Sequence, residues 1–295
     1  MAPIYPNVSS LTVNPAYYQD KALRSLGDLP PFSPILNKLL ATLSYEDVSF
    51  ARLAELIEKD TVLAGNVLRL VNSALYGRRG TISSVRHAVS LIGLVKLRNA
   101  AMTLSLASMW NRAPAPDGWS AARFNLHATA VAIVSDLLAQ KVPVVYPEGA
   151  FAAGLLHDIG LLLIVTALPR EFRQIQRRYL LHGGPLEECE REVLGIGHAE
   201  ISAAALAAWN LPEPIQKAVR YHHNPQRQTG PELPLSKVLE LAELIADAVG
   251  LQALELVKPG AESAAEILGA IGAGDLAPAL LEEFHTEFEP IRSFF

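Results

Sequence analysis

The chain has 295 residues, of which 50% are hydrophobic, 19% are charged and 7% are aromatic. This length allows a large core or two domains, and the abundance of Ala and Leu favours packed helices over sheets. The net charge of −5, with no block of like charges, argues against direct nucleic-acid binding, because such proteins normally present a basic face. The one cysteine, Cys189, excludes an intramolecular disulfide and suits a reducing compartment.

The pattern of the chain predicts neither a signal peptide nor a membrane span. The opening residues MAPIYPNVSSLTVNP lack the basic start and apolar run of a signal peptide. The longest apolar stretch, from Gly154 to Leu168, is interrupted by His157 and Asp158 and is too short to cross a bilayer. We therefore expect a soluble, cytoplasmic protein that does not contact membranes.

Helical periodicity begins at Leu29 and continues through most of the chain, while no segment shows convincing strand alternation. Ser49 and Asp60 are predicted to cap the second and third helices. The sequence therefore predicts an all-α protein. The predicted helices lie near residues 29–43, 49–57, 60–77, 83–91, 93–110, 120–140, 148–158, 160–169, 170–181, 185–193, from 198 onward, 212–223 and 235–249.

The string RAPAPDG, Arg112 to Gly118, is the clearest break in this pattern and indicates a subdomain junction. No repeat of fixed period is visible, which argues against a solenoid. The sequence predicts four parts: an N-terminal arm (1–26), a first helical subdomain (27–112), a second helical subdomain (113–250) and a helical tail (251–295) that packs on the body or on a partner.

Metal-binding side chains stand in and after the string GLLHDIG. An aspartate is rarely buried unless it is paired or bound to a metal, so Asp158 beside His157 in an apolar stretch indicates a specific polar site. The alternative is a polar cluster in which Asp158 accepts hydrogen bonds from histidine and backbone donors. Imidazole and carboxylate ligands suit iron, manganese and zinc. Four further histidines could converge with this pair: His127, His198, His222 and His223.

Each of these side chains has an ordinary structural explanation beside the functional one. His127 lies in the middle of an apolar helix, where a hydrogen-bonded core histidine is common. His198 begins a helix, which could lower its pKa and keep it neutral for metal binding, or it could serve as a cap. His222 and His223 end a helix and could be exposed there. Gly160 is placed to end the helix that carries the His-Asp pair, so that both side chains can reach one ion.

Two separate groups of strings resemble one family. They are LPPFSPILNKLL, ARLAELIEKDTVLAGNVLRLVNSALYG and ISSVRHAVSLIGLVKLRNAAM in the first half, and AAGLLHDIGLLLI and EREVLGIGHAEISAAALAAWNLPEPIQKAVRYHHNP in the second. In order and spacing they resemble the HDOD family, bacterial signalling modules related to HD-type metal-dependent phosphohydrolases, over residues 27–250. The resemblance implies an N-terminal helical half and an HD-like helical half. It also implies a regulatory output module, since many members have no demonstrated hydrolysis.

The resemblance also implies a ligand set. His127 matches the first histidine of the HD series, and His198 and the histidine doublet extend the site in relatives that bind two metals. The acidic ligand of the family falls on Glu243, with Asp247 one turn later. Glu240, Glu243 and Asp247 also form the polar stripe typical of a solvated helix face, and we favour this interpretation for Glu243.

The chain departs from active relatives at Leu161. HD hydrolases that act on cyclic dinucleotides usually have a lysine there, which can meet substrate phosphate, and losing such a charge removes several kcal/mol of transition-state stabilisation. Arg123, Arg170 or Arg220 could substitute in three dimensions, although nothing in the sequence requires it. The Gly-Tyr-Pro motif of cyclic-di-GMP phosphodiesterases is replaced by NPQRQTG. We therefore expect metal binding without turnover.

The leading hypothesis is an HDOD module that transmits regulation through contacts with signalling proteins on separate chains. It would keep a residual divalent metal site and have no catalytic residue. The alternative is a metal-dependent phosphohydrolase or phosphodiesterase acting on a nucleotide or cyclic dinucleotide. A third possibility is a sensor that holds a nucleotide without cleaving it. The sequence leaves the native metal and the oligomeric state open.

Overall fold

The computed structural model describes residues 14–25, 34–41, 49–73, 82–110, 118–225, 227–257 and 260–295. Within these residues the protein is all-helical, as predicted, with no strand and one isolated parallel bridge between Val144 and Leu233. The predicted junction at 112–118 lies almost wholly outside the described residues.

The helices, numbered in chain order, are Pro15–Arg24 (α1), Pro34–Ala41 (α2), Phe50–Glu58 (α3), Thr61–Val71 (α4), Val85–Ile92 (α5), Leu94–Trp110 (α6), Ala121–Lys141 (α7), Ala150–Leu156 (α8), Ile159–Ala167 (α9), Pro169–His182 (α10), Leu186–Leu194 (α11), His198–Ala208 (α12), Glu213–Arg220 (α13), Leu235–Ala248 (α14), Ala264–Gly269 (α15) and Ala277–Arg292 (α16).

Local hydrogen bonds fix the start and end of the N-terminal helices. Ser49 and Asp60 accept hydrogen bonds from main-chain N–H groups of the first turns of α3 and α4, so both predicted caps are confirmed. The prediction that α4 continues to residue 77 is wrong, because the helix ends at Val71. The Asn72 side chain donates to the Leu68 carbonyl and exchanges two hydrogen bonds with the main chain of Ile82, which draws the chain away from the helix axis.

The core is organised around α7, which is apolar on almost all sides and buried along most of its length. Helices α8, α14 and α16 pack against it, and α6 links it to α2, α4 and α5 of the first half. Within the predicted tail, α16 packs on α7 and buries Leu280, Phe284 and Phe288, so this part of the tail packs on the body. Helix α1, within the predicted arm, packs on α9 and α12. The domain boundaries themselves stay predictions.

A break between α8 and α9 separates the two residues of the His-Asp pair. His157 ends α8 with helical dihedrals, and Asp158 at φ −100° and ψ 13° leaves the helix before α9 begins at Ile159. Neighbouring residues on a continuous helix point about 100° apart, so this break lets both side chains face one centre.

The structural role of Gly160 differs from the predicted one. This glycine permits close packing of two helices and does not end the helix. A Cβ at this position would lie 2.1 Å from the His198 carbonyl oxygen and 2.7 Å from the Ser202 nitrogen. The Gly160 N–H donates to the Ser202 hydroxyl at 2.8 Å. The glycine therefore brings the start of α9 against the start of α12, which carries His198.

The stretch Pro147–Ala167 is longer than the apolar run seen in the sequence. Its 21 residues are long and apolar enough to cross a membrane by length and composition alone. However, 89% of its most apolar window is buried inside the protein, and the stretch is broken between α8 and α9. It has the characteristics of a core element of a globular fold.

Gly160→Ala is expected to destabilise the protein by about 1–3 kcal/mol or more, because the added methyl group meets main-chain atoms that cannot move aside. Gly65→Ala in α4 is the matched control, since nothing lies within 4 Å of its Cβ position, and it should stabilise by up to about 1 kcal/mol. Urea unfolding of both variants measures the two changes. Equal stability of Gly160→Ala and the wild type would contradict the close approach of α9 and α12.

Candidate metal centre

Side chains from five parts of the fold meet at one buried point. His127 comes from the middle of α7, His157 and Asp158 from the α8–α9 break, His198 from the first residue of α12, the histidine doublet from the end of α13, and Glu243 from α14. The structure therefore brings together all the predicted site residues except Asp247, which lies on the wall of the adjoining cavity. Three groups have ligand atoms within 4.8 Å of one another: His127, His157 and Asp158; His198, His222 and His223; and His157, His222 and Glu243.

Backbone carbonyls fix the tautomer of three histidines. A neutral imidazole has one N–H, so donating it from Nδ1 leaves a lone pair on Nε2. Metal-binding histidines commonly show this second hydrogen bond to a carbonyl or carboxylate. Three Nδ1 atoms lie at hydrogen-bond distance from main-chain oxygens: His127 from Leu251 at 2.6 Å, His157 from Gly154 at 2.7 Å and His222 from Val219 at 2.6 Å.

The Nε2 atoms of these rings face one another and the central carboxylate. Nε2 of His127 lies 3.3 Å from Nε2 of His157, so two lone pairs oppose each other if both Nδ1 atoms donate. His222 is fully buried, and its Nε2 has no hydrogen-bond partner. Leaving such an atom unpaired costs free energy. A divalent cation among these atoms would relieve both problems, so the donor set fits a metal ion.

Asp158 lies between two sets of histidines. Its Oδ2 is 3.4 Å from Nε2 of His157 and 3.6 Å from Nε2 of His127. Its Oδ1 is 3.1 Å from Nε2 of His198 and 3.8 Å from Nε2 of His222. Burial alone would raise the pKa of Asp158, but His157 and His198 outweigh it and hold that pKa well below its usual range. Asp158 is therefore an anion that can serve both sets.

Burial keeps three of the histidines neutral. It lowers the pKa of His157 to about 4, despite the attraction of Asp158 for the charged form. It also lowers the pKa of His223 to about 3 and that of His222 well below its ordinary value, and the neighbouring histidines add to this effect. Only neutral imidazole binds a metal, so at neutral pH these three rings need not lose a proton before an ion enters.

The pKa expectation for His198 was wrong in direction. Burial lowers this pKa, but the carboxylates of Glu190 and Asp158 outweigh burial and raise it well above its ordinary value. These two charges override the position of His198 at the start of α12. Its Nε2 lies 2.9 Å from Nε2 of His223, which is partly buried beside the site and not on an open surface.

Sequence reasoning missed Glu190. This residue is fully buried, and its Oε2 accepts hydrogen bonds from both the main-chain N–H and Nδ1 of His198, each at 2.7 Å. A signal was present in the sequence. Glu190 stands four residues after Leu186 and four before Leu194, on the apolar face of α11. A carboxylate there calls for a buried partner.

The solvated-face interpretation of Glu243 is also wrong. Its side chain is only 19% exposed, and Oε2 lies 3.6 Å from Nδ1 of His223 and 3.9 Å from Nε2 of His222. Burial, together with Asp158 and Asp247, raises the pKa of Glu243 well above its ordinary value. Burial also raises the pKa of Asp247 to about 6. Because α13 and α14 pack together, the polar stripe of α14 faces the site.

A cavity of about 470 Å³ opens beside these side chains, within the size range of small-molecule sites. Leu161, at the position of the expected lysine, forms part of its wall, as do Tyr179 and Leu244. Among the described residues, none that lines the cavity is a lysine or arginine, and Arg123, Arg170 and Arg220 all lie elsewhere. Besides Asp158 and Glu243 of the site, four further carboxylates line the wall: Glu187, Glu188, Glu240 and Asp247.

Adding Zn²⁺ or Mn²⁺ to chelator-treated protein is expected to raise its Tm, because an ion that binds only the folded state at 100 times its Kd stabilises it by about 2.7 kcal/mol. His157→Ala removes a buried ligand and should abolish most of this shift. His285→Ala, on the exposed surface of α16, should leave it unchanged. Thermal unfolding with and without metal, with elemental analysis, measures both effects. An equal shift in His157→Ala and wild type would contradict the centre.

Glu243→Gln is expected to weaken binding of the same ion by about 10- to 100-fold, because it replaces a carboxyl group that can ionise when the ion binds with a neutral amide next to the histidine doublet. Glu240→Gln is the matched control on the same helix, since Glu240 pairs with Lys237 and not with a histidine of the site. Competition with a chelator of known affinity measures the difference. If both variants bind equally well, Glu243 has no part in metal binding.

Comparison with known proteins shows the family and the fold. The sequence model of the HDOD domain family matches residues 29–225 of this chain. A protein of unknown role from Treponema pallidum is 26% identical over 210 residues, covering 68% of this chain but only 38% of its own length. An HDOD domain protein from Geobacter sulfurreducens superposes with a TM-score of 0.75 at 23% identity over 95% of this chain and 97% of its own. A candidate phosphohydrolase from Shewanella amazonensis SB2B superposes with a TM-score of 0.71 at 26% identity, over 92% of this chain and 97% of its own. The chain belongs to the HDOD family.

Proposed function

We propose that this protein is a regulatory HDOD module that holds a divalent metal ion in its HD-like half and acts through contacts with separate signalling proteins. In this proposal it does not hydrolyse phosphoesters. The observation that carries it is the combination of a complete cluster of oriented histidines with a cavity whose described wall has carboxylates and no lysine or arginine.

The metal part of the proposal rests on the buried donor atoms. His127, His157 and Asp158 would hold one ion, and His198 with the histidine doublet would hold a second or share the first. Iron, manganese and zinc all accept such nitrogen and oxygen ligands. An ion bound there would lower the pKa of a bound water to about 7. The protein itself contributes neutral imidazoles and an ionised Asp158.

The charge of the cavity argues against phosphate chemistry. Cations stabilise the charge that develops on a transferred phosphoryl group, and the site has Leu161 where related hydrolases usually have a lysine that adds to the metal. Glu188 and Asp247 on the wall would repel a phosphate. Two like charges 4 Å apart repel by about 4 kcal/mol at the effective dielectric constant of a protein surface. Glu240 and Glu187 already pair with Lys237 and Arg191.

A metal-dependent phosphohydrolase is the second candidate, because the cavity opens onto the proposed ligand atoms themselves. His127, Asp158, His198 and His223 all line it, so a molecule in the cavity would reach an ion held there. Under this alternative, the metal would supply the positive charge that the wall lacks. The similarity to the Shewanella protein agrees with this alternative but does not assign a substrate.

Turnover separates the two candidates. The protein loaded in turn with Fe²⁺, Mn²⁺ and Zn²⁺ is expected to hydrolyse cyclic dinucleotides, nucleotides and bis-nitrophenyl phosphate no faster than Asp158→Ala treated in the same way. The physical reason is the missing cation beside a wall of carboxylates. Product formation, followed by chromatography and by absorbance, is the measurement. Robust turnover that Asp158→Ala abolishes would replace the regulatory proposal with the enzymatic one.

A further inference from the structure

Glu190 is a fully buried carboxylate that is not one of the proposed metal ligands. It lies on α11, outside the three groups of converging ligand atoms. Both hydrogen bonds that the structure shows for its side chain involve His198, through Oε2. Its other oxygen, Oε1, is buried without a hydrogen-bond partner. A buried, half-satisfied carboxylate is costly, so its retention calls for a specific role.

The two hydrogen bonds fix His198 in two ways. The bond from the main-chain N–H anchors the first residue of α12, and the bond at Nδ1 fixes the rotation of the ring. Nε2 then faces the site, 3.1 Å from Oδ1 of Asp158 and 2.9 Å from Nε2 of His223. A carboxylate at Nδ1 also makes Nε2 a stronger electron donor than a carbonyl would.

The other oriented histidines are held differently. His127, His157 and His222 each have a main-chain oxygen at Nδ1, which carries no formal charge and cannot be removed by a side-chain substitution. His198 is thus the member of this set whose orientation depends on a carboxylate side chain from another helix. Tight packing of α10 on α11, and of α9 on α12, holds the two partners in place.

We propose that Glu190 is a positioning residue that sets the metal affinity of His198, and through it the affinity of the group formed by His198, His222 and His223. This role rests on the proposed metal centre. The group formed by His127, His157 and Asp158 does not include His198, so its affinity should change much less when Glu190 is altered.

The test is Zn²⁺ affinity, measured by competition with a chelator in wild type, Glu190→Gln and Glu190→Ala. Glu190→Gln keeps the size of the side chain but replaces the carboxylate with a neutral amide. It should weaken Zn²⁺ binding at the group that contains His198 by about 10- to 100-fold. Glu190→Ala also removes both hydrogen bonds and should weaken it at least as much. Glu192→Gln, two residues along α11 in a surface ion pair with Arg178, is the control and should bind as wild type does.

A second measurement separates positioning from folding. If Glu190 acts through His198, adding Glu190→Gln to His198→Ala should weaken Zn²⁺ binding no further than His198→Ala alone. The metal-induced rise in Tm should shrink in Glu190→Gln. A merely structural role would instead lower Tm equally with and without metal, and it would add to the effect of His198→Ala.

The outcomes are distinct. Equal Zn²⁺ affinity in Glu190→Gln and wild type, or full additivity with His198→Ala, overturns the positioning role and leaves the metal centre standing. A wild-type protein that binds neither Zn²⁺ nor Mn²⁺ overturns both. If Glu190→Gln weakens Zn²⁺ binding in the wild-type background but not in the His198→Ala background, the positioning role of Glu190 is established.

Discussion

The hydrogen bonds at Nδ1 are the interactions on which the site depends. With an N–H committed to a fixed oxygen, each ring presents its Nε2 lone pair to the same small volume. Without a cation, opposed lone pairs 3.3 Å apart and an unpaired buried nitrogen oppose folding. The fold tolerates this arrangement only because the surrounding helices are packed tightly enough to hold it.

Two glycines show how that packing is achieved. A Cβ on Gly154 would lie 2.7 Å from Cα of Ala132, and one on Gly160 would lie 2.1 Å from the carbonyl oxygen of His198. These contacts bring α8 against α7 and α9 against α12. The same two approaches place His157 and Asp158, which lie between the glycines, against His127 on one side and His198 on the other. Packing and ligand geometry therefore depend on the same residues.

The string around His157 and Asp158 predicts the centre because it carries two unusual polar residues in a buried apolar run. The helices and the caps at Ser49 and Asp60 are likewise predictable from local pattern. The orientation of His127 is not, because its Nδ1 partner is the carbonyl of Leu251, 124 residues away. Glu243 looked solvated for a similar reason, since only the packing of α13 on α14 turns its face towards the site.

An ion at this point would join five parts of the chain. Its ligands come from α7, the α8–α9 break, α12, α13 and α14, so binding would cross-link most of the HD-like half. The stabilisation grows with the logarithm of metal concentration above Kd, and each helix that the ion holds becomes more rigid. A module that works through protein contacts gains from this without any reaction, because a partner then meets a surface already fixed in one shape and loses less entropy on binding. Under the proposed function, the converging histidines and Asp158 would serve through the ion they hold, with Leu161 in the place where related hydrolases usually have lysine.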